Sequence, residues 1–210
     1  MSAIPQTLRP STDGDTMRLR ILDAAEHVFA ERGYAGATTR EIALQAGIRK
    51  RMLFYYFSSK AVLYHAVLER IIVNLVAIHE RFRDQPGPVG LGEAAEALTA
   101  YAAANLGALK VLHREIMDAG PHLAGLAEAH LRPLFTRGAE EVERNMRCGN
   151  FRRGDPMHTL VNVGGITLYY FLLLPLLGLV WDRDPLGPTT LAERSGVVRD
   201  WVLHGLTAPS

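Results

Sequence analysis

The chain has 210 residues, 48% of them hydrophobic and 21% charged, an ordinary globular mixture that fits one large domain or a small domain with a medium one. Its single cysteine, Cys148, excludes an intramolecular disulfide and suits a reducing compartment. The formal charge of +1 is unevenly spread: residues 1–83 hold 12 Lys/Arg against 8 Asp/Glu, residues 84–210 hold 11 against 14, and the basic excess lies mainly between Arg40 and Lys60, the footprint of a polyanion partner.

Residues 1–16 are polar, with Pro, Asp and Gly and no apolar run, and they read as a disordered tail rather than a signal peptide. From Arg18 to Glu31, Ile21, Leu22, Ala25, Val28 and Phe29 fall on one stripe of a helix. Gly33 follows as a left-handed C-cap. Thr38-Thr39-Arg40-Glu41 predicts a capping box between Thr38 and Glu41. The helix it starts carries Ile42, Ala43 and Ala46 and ends at Gly47. Ile48 leads a third short helix with Leu53 and Phe57 four residues apart. Three short helices with a glycine between the second and third make a helix-turn-helix layout over residues 17–62.

Residues 63–210 predict an all-helical body of about six helices. Ser58-Ser59 caps a long fourth helix, Lys60 to about Arg83, broken by Gln85-Pro86-Gly87-Pro88. Helices follow over 92–106 and 108–118, and another from Gly120-Pro121 to about Cys148 with a kink or break at Pro133. After a loop over 149–156 comes an apolar helix from Leu160 to Trp181, then a turn-rich connector to Pro188 and a last helix over 191–206. No alternating strand pattern occurs, so the chain reads as all-α.

The most informative window is residues 33–63. It contains Gly33-Tyr34, Thr39 with Ile42-Ala43, Ala46-Gly47-Ile48, Leu53-Phe54-Tyr55-Tyr56-Phe57, and Ser59-Lys60 with Leu63. About 30 consecutive residues in this arrangement resemble the DNA-binding head of the tetracycline-repressor (TetR) family, and the overall length and helix layout are similar too. The periodicity independently holds Leu53 and Phe57 against the first helix and leaves Lys50, Arg51, Met52, Phe54 and Tyr55 free to face a major groove. The resemblance implies contacts to bases or phosphates from Thr39, Arg40, Lys50, Arg51, Met52, Phe54, Tyr55, Tyr56 and Lys60. Lys50 or Arg51 suits guanine, whereas Tyr55, Tyr56 and Lys60 suit phosphates. Phe57 reads as core, and Phe54 as either core or DNA-facing.

The chain departs from the family where the third helix starts. Arg49 stands where a Ser or Thr cap is usual, followed by Lys50 and Arg51. Three cations oppose the macrodipole at about 0.3–1 kcal/mol each, and the missing cap costs around 1 kcal/mol more. Arg49 is therefore expected to trade local stability for affinity to phosphate.

The resemblance further implies a homodimer through the last two long helices, a palindromic operator with half-sites about 34–36 Å apart, and a ligand cavity in the body. Candidate lining residues are Leu75, Ile78, Phe82, Tyr101, Met117, Phe135, Asn162, Tyr169 and Tyr170, which as a set suit a small apolar or aromatic effector. Gly164 and Gly165 would permit close helix approach in the dimer. The family mostly represses, so a cytoplasmic repressor released from its operator by the effector is the expected function.

Leu160–Trp181 also reads as a membrane span, because 22 residues as one helix would run about 33 Å. Asn162, Thr167 and Gly164-Gly165 lower its hydrophobicity, and burial between core and subunit seam is the alternative, giving a protein without a membrane. His113, His122, His130 and His158 lack the i, i+4 spacing of a helical metal pair, so no metal or cofactor is expected. Cys148 beside Arg147, Arg152 and Arg153 has the surroundings of a reactive thiol but no partner cysteine. No nucleophile elbow, phosphate-binding glycine loop or paired catalytic acids occur, so an enzyme is not expected.

Overall fold

The computed structural model describes residues 13–82 and 87–207. Its helices are α1 (Asp13–Gly36), α2 (Thr39–Gln45), α3 (Lys50–Tyr56), α4 (Lys60–Arg81), α5 (Gly87–Ala104), α6 (Leu106–Met117), α7 (Leu123–Leu126) running through a π turn (Ala127–Leu131) into α8 (Arg132–Arg147), α9 (Pro156–Leu172), α10 (Leu174–Val180) and α11 (Pro188–Leu206). There is no strand among the described residues, so the all-α expectation holds. The chain divides into two compact units, one ending at Val67 and one starting at Leu68.

In the first unit, the stripe Ile21, Leu22, Ala25, Val28 and Phe29 of α1 is buried together with Ile42 and Ala43 of α2, Leu53 and Phe57 around α3, and Leu63 and Val67 of α4. α1 begins at Asp13, earlier than the expected start, so the end of the presumed tail is helical; residues 1–12 lie outside the described residues. Gly33 has φ 68° and ψ 174°, a combination open essentially to glycine and different from the expected left-handed cap. The turn there lets Tyr34 reach the Phe29 ring at 6.3 Å and the Tyr64 ring at 4.8 Å. The capping box forms as expected: Thr38 Oγ1 accepts from the Glu41 amide at 3.2 Å, and the Thr38 amide donates to Glu41 Oε2 at 2.9 Å. The Thr38 hydroxyl also donates to Oε2 at 2.8 Å. These bonds, the hydroxyl's first and the amide's second, hold the Glu41 carboxyl below its ordinary pKa. Gly47, at φ 64°, turns the chain from α2 to α3. Ser59 caps α4, its Oγ accepting from the Val62 amide at 3.1 Å.

In the second unit, α5 packs against α11, with Ala95, Val198 and Val202 buried between them. A Cβ on Gly92 would already touch Arg199 and Leu203 at 3.5 Å, so a small residue sets that approach. A second cluster joins Ala102, Leu109, Tyr170 and Phe171. α9 packs on both α5 and α8, and Arg137 of α8 pairs with Glu80 of α4 at 2.6 Å.

Of two expected helices that contain a proline, one runs on through a widened turn and the other is divided. Pro133 does not break its helix. The Arg132 amide bonds back five residues to Ala127, and this widened turn accommodates the proline, which lacks an N–H and would otherwise clash with a carbonyl four residues earlier. The segment 160–181 is not one helix. α9 starts at Pro156, capped by Asp155 Oδ1 accepting from the His158 amide at 2.9 Å, and stops at Leu172. α10 leaves at 61°, because Pro175 cannot donate within a continuing helix and its ring would strike the Phe171 carbonyl. By length and apolarity α4 could cross a membrane, and α9 with α10 only as a bent pair.

Replacing Thr38 by Ala removes both bonds of its hydroxyl and leaves only the amide bond to Glu41 Oε2. We expect a loss of about 1 kcal/mol in chemical denaturation of the full chain. No change would mean that the box does not stabilise the head.

Candidate nucleic-acid interface

α3 has seven residues and one buried side chain within its length, Leu53. Leu53 is 0% exposed, and Phe57, just past the helix end, 2%. With both points fixed in the core, the helical period turns Lys50, Arg51, Phe54 and Tyr55 outward. Arg49, Lys50, Arg51, Met52, Phe54 and Tyr55 are all exposed, Tyr55 at 81% and Phe54 at 41%. Phe54 is thus not core, as one of its two readings allowed. The Lys50 ammonium lies 5.6 Å from the Phe54 ring centre, and the Tyr55 and Tyr56 rings meet edge to face at 5.2 Å.

Arg40, Arg49, Lys50 and Arg51 have no acidic partner among the described residues. An unneutralised cationic surface of this kind raises the local concentration of a polyanion. Arg49 occupies the N-cap of α3 with extended backbone and makes no capping bond, as the sequence predicts. Arg40 is exposed; Thr39, Tyr56 and Lys60 are half-buried. The Lys60 ammonium sits 4.5 Å from the Tyr34 ring centre and donates to the Ala35 carbonyl at 3.5 Å, so its position is set by the kinked end of α1. One exposed side chain escaped the periodicity argument: Leu44, on the outer face of α2, is 80% exposed.

The body holds a cavity of about 190 Å³. Leu75, Ile78 and Phe135 line it, as expected. The other expected lining residues do not. Phe82 packs under the Arg81 guanidinium at 5.4 Å, Tyr101 is half-buried elsewhere, and Met117 is exposed. Asn162 opens onto a separate outer groove with Arg152 and Trp201. Tyr169 and Tyr170 line a groove between α9 and α11. The Tyr170 hydroxyl donates to the Pro185 carbonyl at 2.7 Å, and the Arg194 guanidinium lies 4.9 Å from its ring centre. Burial raises the Tyr170 pKa, which keeps that hydroxyl a donor. Gly164 faces the cavity, whereas Gly165 faces the α9–α11 groove, so only the latter stands at that outer face.

Sequence reasoning missed His79. It follows Leu75 by four residues, on the same face of α4, and is the one polar side chain lining the cavity. Burial lowers its pKa below the ordinary imidazole value; Glu80 opposes that shift and Arg137 adds to it.

A short helix clamped from below and presented with unpaired cations defines a helix-turn-helix DNA-binding protein. Residues 21–67 match the family model for bacterial regulatory proteins, tetR family. Residues 21–67 thus form a TetR-family DNA-binding head, and the relatives matched over a larger share of the chain are transcriptional regulators, not enzymes. Over 63 residues it is 49% identical to the HTH-type transcriptional activator FasR of Mycolicibacterium smegmatis, a match spanning 30% of this chain and 29% of that protein. It is 26% identical over 175 residues to the HTH-type transcriptional regulator RutR of Escherichia coli, covering 80% of each. Its fold is similar to the TetR family transcriptional regulator PfmR from Thermus thermophilus, with a TM-score of 0.71 and 23% identity over 90% of this chain and all of that one.

Buried and exposed positions of α3 should respond differently to truncation. Leu53→Ala should destabilise the protein by about 2–5 kcal/mol, and Tyr55→Ala by no more than about 0.5 kcal/mol. Similar losses in thermal denaturation would contradict the orientation described.

Proposed function

We propose that the protein is a cytoplasmic homodimeric repressor that reads a roughly palindromic duplex through α3 and leaves it when a small apolar or aromatic effector occupies the body. The observation that carries this reading is the orientation of α3. Leu53 and Phe57 are buried, and the cations and Tyr55 between and before them are exposed without acidic partners. In this reading Lys50 or Arg51 pairs with guanine edges, and Phe54 and Met52 meet apolar edges such as thymine methyls. Arg49, Arg40, Thr39, Tyr55, Tyr56 and Lys60 grip phosphates. A dimer seated on a promoter denies it to polymerase, which suffices for repression.

The dimer reading rests on the second unit. Val161, Ile166 and Tyr169 of α9 and Val197 and Trp201 of α11 are exposed, Trp201 at 68%, beside Leu176, Leu179 and Val180 of α10. Ile166, Tyr169, Val197 and Trp201 line one groove, and exposed apolar residues gathered in this way mark an interface. A second copy covering it matches the pairing of the last two long helices that the family resemblance implies. The same surface argues against a membrane role for 160–181, since the segment bends by 61° rather than running straight through a bilayer. α4 carries residues of both units, from Lys60 beside α3 to Leu75, Ile78 and His79 at the cavity. An effector favouring one setting of that helix needs about 1–3 kcal/mol of differential binding to shift operator occupancy.

Gel retardation of duplex DNA from upstream of the protein's own gene tests this directly, and absence of any shift in dilute buffer would refute it. Arg49→Ser should stabilise the head by about 1 kcal/mol through the restored cap, while flattening the salt dependence of DNA binding by about one unit of log–log slope. An unchanged slope would remove Arg49 from the phosphate contacts. Trp201→Glu should convert a dimer into a monomer in sedimentation at micromolar concentration, and a persisting dimer would place the interface elsewhere.

A further inference from the structure

The cavity at α4 combines an apolar wall with one polar side chain. Leu75, Ile78, Leu98, Phe135 and Leu168 contribute only carbon, and the His79 imidazole is the single exception. Its ring makes no hydrogen bond among the described residues, although Nε2 lies close to the Gly138 backbone, 3.7 Å from where a Cβ on Gly138 would stand. A polar group facing an apolar space without a partner is costly, and an occupant that supplies the partner recovers that cost. Size sets the second limit. An apolar cavity of about 150 Å³ takes a benzene ring, so about 190 Å³ admits one ring with a short substituent and little else.

Resting on the effector reading above, we propose that this cavity selects a small, uncharged, single-ring or comparably sized apolar molecule carrying one hydroxyl group, which His79 holds by hydrogen bonding. The charge pattern favours a neutral ligand. Among the described residues the cavity lining holds no Lys or Arg, and Arg137, whose charge acts on His79, is already paired with Glu80 at 2.6 Å, so no free cation receives a carboxylate. Burial keeps the imidazole neutral, with one ring nitrogen a donor and the other an acceptor. A hydroxyl is likewise both donor and acceptor, so it can use whichever nitrogen faces the cavity. A hydrocarbon would leave the imidazole unsatisfied, and a carboxylate would bring an uncompensated charge into an apolar space.

A matched set of probes tests the idea on the whole 210-residue chain: 4-ethylphenol, ethylbenzene and 3-phenylpropanoate, with binding followed by calorimetry. The expected result is that 4-ethylphenol binds about tenfold more tightly than ethylbenzene, the worth of roughly one buried hydrogen bond, and that the anion binds weakest. His79→Leu should bring the ratio of the two neutral probes to about one while keeping ethylbenzene affinity. His79→Gln, which retains a donor and an acceptor, should keep a severalfold preference. Gly164→Leu should abolish binding of both, because a Cβ there meets nothing and the added side chain projects into the cavity.

A tenfold preference surviving in His79→Leu, equal affinities in the native protein, or the anion binding best would each overturn the hydroxyl inference while leaving the cavity as the effector site. Binding that persists unchanged in Gly164→Leu, or no binding of any probe to the native protein, would instead remove the cavity as an effector site, and the inference with it.

Discussion

Leu53 and Phe57 are the two fixed points beneath α3. A seven-residue helix has too few internal hydrogen bonds to hold itself in water, and α3 also starts without a cap and with three cations against its dipole. Burial of these two side chains in the core of the head supplies what the helix lacks on its own. Because they lie four residues apart, they also set the rotation of the helix. Everything chemical about the head follows from that rotation, including which cations face water and why Tyr55 is almost fully solvated.

The kink at Gly33 near the end of α1 acts on the same surface. Gly33 adopts a backbone that side-chain-bearing residues avoid, which brings Tyr34 against Tyr64 and within reach of Phe29. Tyr34 in turn supports the Lys60 ammonium through its ring face, and the Ala35 carbonyl gives that ammonium one acceptor. A lysine held in this way has lost part of its side-chain entropy before any phosphate arrives. The position of Lys60 is thus a consequence of a glycine 27 residues earlier.

Most of the head was legible in the sequence because its signals are local and dense. The capping box, the glycine turn and the Leu53–Phe57 pair each specify geometry within a few residues, and each formed as read. The body was less legible. The start of α9 was missed by four residues although Asp155-Pro156 is a cap followed by a first-turn proline, a pattern masked by the flanking Arg152, Arg153 and Gly154. Aromatic side chains were weighted too heavily as cavity candidates. Tyr170 turned out to be held by the Pro185 carbonyl and Arg194, contacts whose partners lie 15 and 24 residues away in sequence. His79 carried a signal of its own, four residues after Leu75 on one helical face, but a histidine at the end of an amphipathic helix looks the same whether it faces solvent or a cavity.

Two prolines shape the body in opposite ways, and the difference comes from what lies before each. Ahead of Pro133 the helix can relax into a π turn, because none of Ala127 to Leu131 is buried and a wider pitch breaks no core packing. The helix therefore continues and presents Leu131, Leu134 and Phe135 to the cavity in one run. Ahead of Pro175 stand Tyr170 and Phe171, both buried and packed edge to face at 5.3 Å, so that turn cannot widen without breaking a core cluster. The chain bends by 61° instead, and Leu176, Leu179 and Val180 are left facing water. One proline thus shapes the wall of a cavity, and the other leaves an exposed apolar surface.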